Sequence, residues 1–183
     1  MGKEKNRQRK LNMEKNNIIL VGMPSCGKST VGVILEKTMG MDFIDTDILI
    51  QKEQGMTLQK IIDSKGEEEF YRIEEGVLSS YKGKGQVVAT GGSAIYYEKA
   101  MAHLAEMGTI IYLKVSLDTV LKRLDNISTR GVPMKEGMTL EKLYDQRIPL
   151  YESRSHVTVE ADGMTVEQVV AEIVRAVSNP MSV

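Results

Sequence analysis

Apolar and polar positions follow two rhythms along this chain. Ile18-Ile19-Leu20-Val21 is an unbroken apolar run, the pattern of a strand covered on both faces. From Lys28 onward Val31, Ile34, Leu35 and Met39 recur at helical spacing until Gly40, which predicts a helix over 28–39. Residues 41–45 read as a second strand. Residues 46–54 and 57–81 read as helices broken near Gly55 and Gly66, with Ile61, Phe70, Val77 and Leu78 among the inward positions. A third strand over 86–90 runs into Gly91-Gly92, a helix covers 98–107, and a fourth strand covers 109–113. Val120, Leu121 and Leu124 share a face of a helix over 117–125. Residues 126–138 hold Gly131, Pro133 and Gly137 with almost no apolar period, so a mobile loop is expected there. Helical spacing resumes over 140–144 towards Arg147, a fifth strand covers 156–160, and an amphipathic helix over 166–177 closes the pattern. Strands alternating with helices predict an α/β three-layer sandwich. The first 16 residues are polar and mostly basic, so a disordered tail ahead of one domain over 17–183 is expected, with Met13 as an alternative start.

At 183 residues the chain suits one well-filled core. A formal net charge of -1 with 27% charged residues argues against a nucleic-acid surface. A single cysteine excludes an internal disulfide and fits a reducing, cytoplasmic setting. No apolar run approaches the roughly 20 residues a membrane span needs, so no membrane partner is expected. The twelve methionines are scattered, as core filler would be. His103 and His156 lack partner spacing for zinc or a triad and read as structural.

The segment Gly22-Met23-Pro24-Ser25-Cys26-Gly27-Lys28-Ser29-Thr30 fits G-x-x-x-x-G-K-[ST] and lies between a predicted strand and a predicted helix. Glycines there let backbone N–H groups converge on phosphate oxygens at the positive end of the helix dipole. Lys28 supplies a cation for the outer phosphates, and the Ser29 hydroxyl suits a magnesium ion bridging them. Nucleotide binding through Gly22, Pro24, Ser25, Cys26, Gly27, Lys28, Ser29 and Thr30 is the firmest functional expectation. Cys26 is small loop filler or, at a helix N-terminus, a thiol open to oxidation.

Together with that loop, Asp45-Thr46-Asp47, Gly66-Glu67 followed by Phe70 and Glu74, Gly91-Gly92, Arg130, and Arg147-Ile148-Pro149-Leu150-Tyr151 resemble the shikimate kinase family in order and spacing. The resemblance covers residues 17–177 and implies a five-stranded parallel sheet in order 2-3-1-4-5 under a lid over about 126–138. It implies ATP and magnesium as cofactors and phosphorylation of a hydroxyl on a small metabolite, with shikimate first. By that resemblance Lys28, Asp47 and Arg130 are catalytic, and Ser29 and Asp45 serve the metal. Arg123 and Arg130 join the nucleotide site, while Asp47, Phe70, Tyr71, Glu74, Gly91, Gly92 and Arg147 form the acceptor site. The plainer readings are a helix cap for Asp47, solvated arginines at 123 and 130, and a structural ion pair for Arg147.

This chain departs from the family at Tyr71, where a second carboxylate-binding arginine is usual, and at Ser93, where a third glycine is usual. Arg72 lies one position on, about 100° around a helix, and its spacing from Glu68, Glu69 and Glu75 suits surface ion pairs. The lid reads Arg130-Gly131-Val132-Pro133, where arginine followed at once by proline is usual. Such changes bear on acceptor recognition rather than phosphoryl transfer. A different hydroxylated carboxylate or polyol as acceptor is therefore the alternative, and a non-catalytic nucleotide-binding regulator is a second. The chain lacks an Asn-Lys-x-Asp segment for reading guanine. A monomer or weak dimer is expected.

Overall fold

The computed structural model describes residues 16–125 and 137–178. Five strands, β1 (Asn17–Val21), β2 (Asp42–Asp45), β3 (Gln86–Ala89), β4 (Gly108–Lys114) and β5 (Val157–Glu160), form one parallel sheet in the order β2-β3-β1-β4-β5. The helices are α1 (Lys28–Met39), α2 (Thr46–Gln54), α3 (Leu58–Lys65), α4 (Glu67–Ser80), α5 (Glu98–Met107), α6 (Leu117–Asp125), α7 (Leu140–Arg154) and α8 (Val166–Ser178). Right-handed crossovers between parallel strands put helices on both faces of such a sheet. The central strand is accordingly buried along its whole length, with Ile19, Leu20 and Val21 at 0% exposure.

The parallel register decides where the loops emerge. Leu20 pairs with Ala89, Ala89 with Asp45, and Val21 with Tyr112. The phosphate loop, Asp45 and the Gly91-Gly92 turn therefore leave the sheet at one edge, the carboxyl edge where ligands of open α/β sheets collect. Thr90 secures this junction, its backbone N–H and its hydroxyl both donating to the Leu20 carbonyl at 3.1 Å.

Every predicted strand is present, with ends moved by one residue or so. Two features go beyond the sequence reading. Residues Ala94–Tyr96 form a short 3-10 turn that no periodicity announced. The helix read over 140–144 towards Arg147 continues through Pro149 to Arg154. Proline inside a helix costs about 3 kcal/mol in isolation. Here Leu143, Arg147 and Tyr151, each one turn further along, are buried together, and that packed face outweighs the lost backbone bond. A second, smaller apolar cluster of Ile50, Ile61, Phe70 and Val77 joins α2, α3 and α4. The expected tail (1–16, bar its last residue) and lid (126–138, bar its last two residues) lie outside the described residues, and Arg130 with them.

Candidate active site

Backbone chemistry shapes the phosphate loop. Gly22 has φ +150, and a Cβ there would come within 2.8 Å of both Cys26 Sγ and the Leu113 carbonyl oxygen, so only glycine fits. Ser25 at φ 61 and Gly27 at φ 108 turn successive N–H groups inward ahead of α1, the concave arrangement that holds anions. Lys28, 9% exposed, donates from Nζ to the carbonyls of Gly22 and Met23, both at 2.8 Å. Arg123 reaches from α6 to donate to the carbonyls of Ser25 and Cys26 at 3.2 and 3.0 Å. The guanidinium therefore braces the loop from outside. Beside it lies a cavity of about 240 Å³ lined by Ser25, Cys26, Thr30, Arg123, Met164 and Val166 among others. Its walls are mixed apolar and polar, suited to a planar base.

Asp45 caps α2 and joins it to the loop. Its Oδ1 accepts the Asp47 N–H at 3.0 Å and its Oδ2 accepts the Ser29 hydroxyl at 2.7 Å. The capping expected of Asp47 as its plainer reading is thus performed by Asp45. Ser29 and Asp45 offer hard oxygens, the donor type magnesium prefers. Among the described residues no group of three His, Cys, Asp or Glu is gathered as a metal cage. A metal that keeps most of its waters and leans on phosphates needs none, so these residues fit the magnesium that the loop implies.

The third component surrounds the Gly91-Gly92 turn. A Cβ on Gly91 would stand 2.2 Å from Glu74 Oε1 and 3.0 Å from Asp47 Oδ1, so both carboxyl groups converge on that backbone. A Cβ on Gly92 would meet Arg147 Nη1 at 2.9 Å and Pro24 Cδ at 3.0 Å, which brings the phosphate loop and α7 to the same place. Arg147 is 1% exposed. Its Nε donates to the Tyr96 hydroxyl at 3.2 Å, its carbon lies 5.2 Å from the Tyr96 ring centre, and its Nη1 has no hydrogen-bond partner. The ion pair that was its plainer reading is not among the bridges of the described residues.

Glu74, at 0% exposure, accepts the hydroxyls of Ser93 and Tyr97 on Oε2 at 2.5 and 2.7 Å, while Oε1 has no partner. Burial pushes its carboxyl up to about 7, the Asp47 charge adds to the rise, and the two hydroxyls and Arg147 oppose it. Tyr71 is half-buried and close enough to Glu67, Glu74 and Arg147 to feel their charges, and burial is the main cause that raises its phenol. Arg72 points away and pairs with Glu69 at 2.9 Å, as its spacing suggested. Phe70 packs in the smaller apolar cluster at 3% exposure, with its ring centre 5.7 Å from that of Tyr71. Both histidines are structural: His103 bonds the Tyr81 carbonyl, and His156 accepts the Ile110 N–H. Sequence reasoning missed Tyr96 and Tyr97, which follow no periodic element; two adjacent tyrosines just after the Gly-Gly turn were the available signal.

A phosphate loop, a pair of hard oxygens on Ser29 and Asp45 and a buried acidic and cationic cluster on one parallel sheet point to a P-loop small-molecule kinase. A sequence profile described as Shikimate kinase matches residues 24–178. A shikimate kinase of Francisella tularensis is 36% identical over 161 residues, covering 86% of this chain and 92% of that one. One of Thermodesulfovibrio yellowstonii is 33% identical over 162 residues, 87% and 93% of the two chains. The structure of shikimate kinase from Acinetobacter baumannii in complex with shikimate superposes with a TM-score of 0.82 at 31% identity, over 95% of this chain and 99% of that one. This chain belongs to the shikimate kinase family. It has that family's three-layer fold and is a phosphotransferase of that type, and membership implies use of ATP and magnesium. Among the described residues no helix is long and apolar enough to cross a membrane.

Proposed function

We propose that this protein transfers the γ-phosphoryl group of ATP to a hydroxyl of shikimate, giving shikimate 3-phosphate. The observation that carries this reading is the meeting of Asp47, Glu74 and Arg147 at two successive glycines beside Pro24 of the phosphate loop. In this reading the loop amides and Lys28 hold the phosphates while the base occupies the cavity beside Arg123. Ser29 and Asp45 would hold magnesium, which would offset phosphate charge in the transfer. Asp47 aligns the acceptor hydroxyl and takes its proton, and the Arg147 guanidinium receives the carboxylate, for which a planar two-pronged donor is suited. Arg130 takes the role the resemblance gives it, a cation for the phosphates during transfer. The enzyme works in the cytoplasm as a monomer or weak dimer, without nucleic-acid or membrane partners.

Tyr71 and Ser93 favour one rival, a related hydroxylated carboxylate as acceptor. A coupled assay with ATP, magnesium and a panel of hydroxylated acids and polyols decides between them. Turnover of shikimate with the highest kcat/KM supports the proposal. Faster turnover of another panel member with shikimate inert overturns it, and nucleotide binding without turnover of any acceptor would indicate a regulator.

A further inference from the structure

Two buried polar atoms face the Gly91-Gly92 turn without a partner: Glu74 Oε1 on one side and Arg147 Nη1 on the other. Buried polar atoms are nearly always paired in native proteins, so an unpaired donor and acceptor at successive residues of one turn point to a ligand that supplies both complements. Arg147 asks for an anion. Glu74 asks for something else, and the reason lies in how it is held.

Both hydroxyl donors to Glu74, Ser93 and Tyr97, bind the same oxygen, Oε2. A carboxyl gripped on one oxygen by two donors cannot rotate to share its load, so Oε1 stays turned towards Gly91 and the neighbouring Asp47 Oδ1. Ser93 stands where the family usually carries glycine, yet the residue is 4% exposed and its hydroxyl is spent on Glu74. The added hydroxyl thus tightens the grip on the carboxyl. Burial and the adjacent carboxylate push the Tyr97 phenol upward, so it remains a donor at any physiological pH. Tyr71 offers a phenol on the flank where a guanidinium is usual, which leaves Arg147 as the buried arginine among the described residues.

We propose that Ser93 and Tyr97 are positioning residues that clamp Glu74, so that its free oxygen reads a second hydroxyl of the acceptor, distinct from the one Asp47 aligns. This rests on the proposed function and deepens it, because it states which part of shikimate the site discriminates. A site built to bond a hydroxyl rejects the analogue lacking it, since its own buried group is left unpaired.

The test is calorimetric binding of shikimate and of its analogues lacking the 4- or the 5-hydroxyl, to the wild type and to Ser93→Ala, Tyr97→Phe and the double variant. In the wild type one analogue should bind about 30-fold more weakly than shikimate, and in the double variant that penalty should fall below about fivefold. ATP affinity should stay unchanged, which a general loss of structure would not allow. If the double variant fails to fold, Tyr97→Phe alone must relieve part of the penalty. An equal penalty in wild type and variants overturns the clamp, as does a wild type indifferent to both hydroxyls. Phosphoryl transfer to shikimate is followed separately. Its absence beside a clamp-dependent penalty overturns the proposed function and leaves the clamp, whereas transfer with a clamp-independent penalty overturns the clamp alone. No binding of shikimate overturns both.

Discussion

Replacing Glu74 with glutamine removes the charge from the most deeply buried carboxyl of the site while keeping its shape. The native carboxyl moves from its ordinary 4.5 to about 7, mainly because burial penalises the charged form and secondarily because Asp47 repels it. The unfolded chain releases that proton near 4.5, so between the two values the folded protein binds more protons than the unfolded one. Stability from this group is therefore complete below about 4.5 and lost as the pH rises through about 7. Each pKa unit is worth about 1.4 kcal/mol, so roughly 2 to 3 kcal/mol should disappear between about pH 5 and pH 8. Glu74→Gln cannot ionise and should escape this loss. Urea unfolding of both proteins across that range should show the wild type weakening relative to the variant by that amount as the pH rises. Parallel stability curves would refute the reasoning, because they would mean that Glu74 titrates alike in the folded and unfolded chains.

The same geometry yields further expectations. Arg147→Lys keeps a cation but loses the planar fork, and should raise the KM for shikimate roughly tenfold to a hundredfold with little change in that for ATP, measured by steady-state kinetics. Tyr71→Arg should lower the same KM by about tenfold, through a second charge-assisted contact on the α4 flank. Gly91→Ala places a Cβ 2.2 Å from the clamped Glu74 carboxyl. It should cost about 1 to 3 kcal/mol, visible as a lower thermal midpoint, and abolish acceptor turnover.

Much of this architecture could be read from residue pattern because its signals are local. The apolar run 18–21, the helix closed by Gly40 and the strand into Gly91-Gly92 each follow from spacing over a few residues, and the structure moves their ends only slightly. The continuation of α7 through Pro149 was illegible locally, because the compensation is tertiary: Arg147 and Tyr151 are buried by distant segments, and the Tyr151 hydroxyl donates to the Gly92 carbonyl at 2.7 Å. The cluster around Gly91-Gly92 shows the same limit. Resemblance to the family singled out Glu74, but its clamp unites residues 19 and 23 positions away on a segment with no period. Arg123 likewise sits 98 and 97 positions from the loop carbonyls it binds, a contact that only the folded sheet creates.

Most of the account turns on Asp47 standing where the acceptor alcohol meets the phosphate loop. The direct measurement is the rate of ATP-dependent shikimate phosphorylation by Asp47→Asn, with nucleotide affinity measured alongside. Loss of a general base predicts a kcat lower by roughly 10²- to 10⁴-fold with ATP binding intact. A kcat within about threefold of wild type would contradict the account.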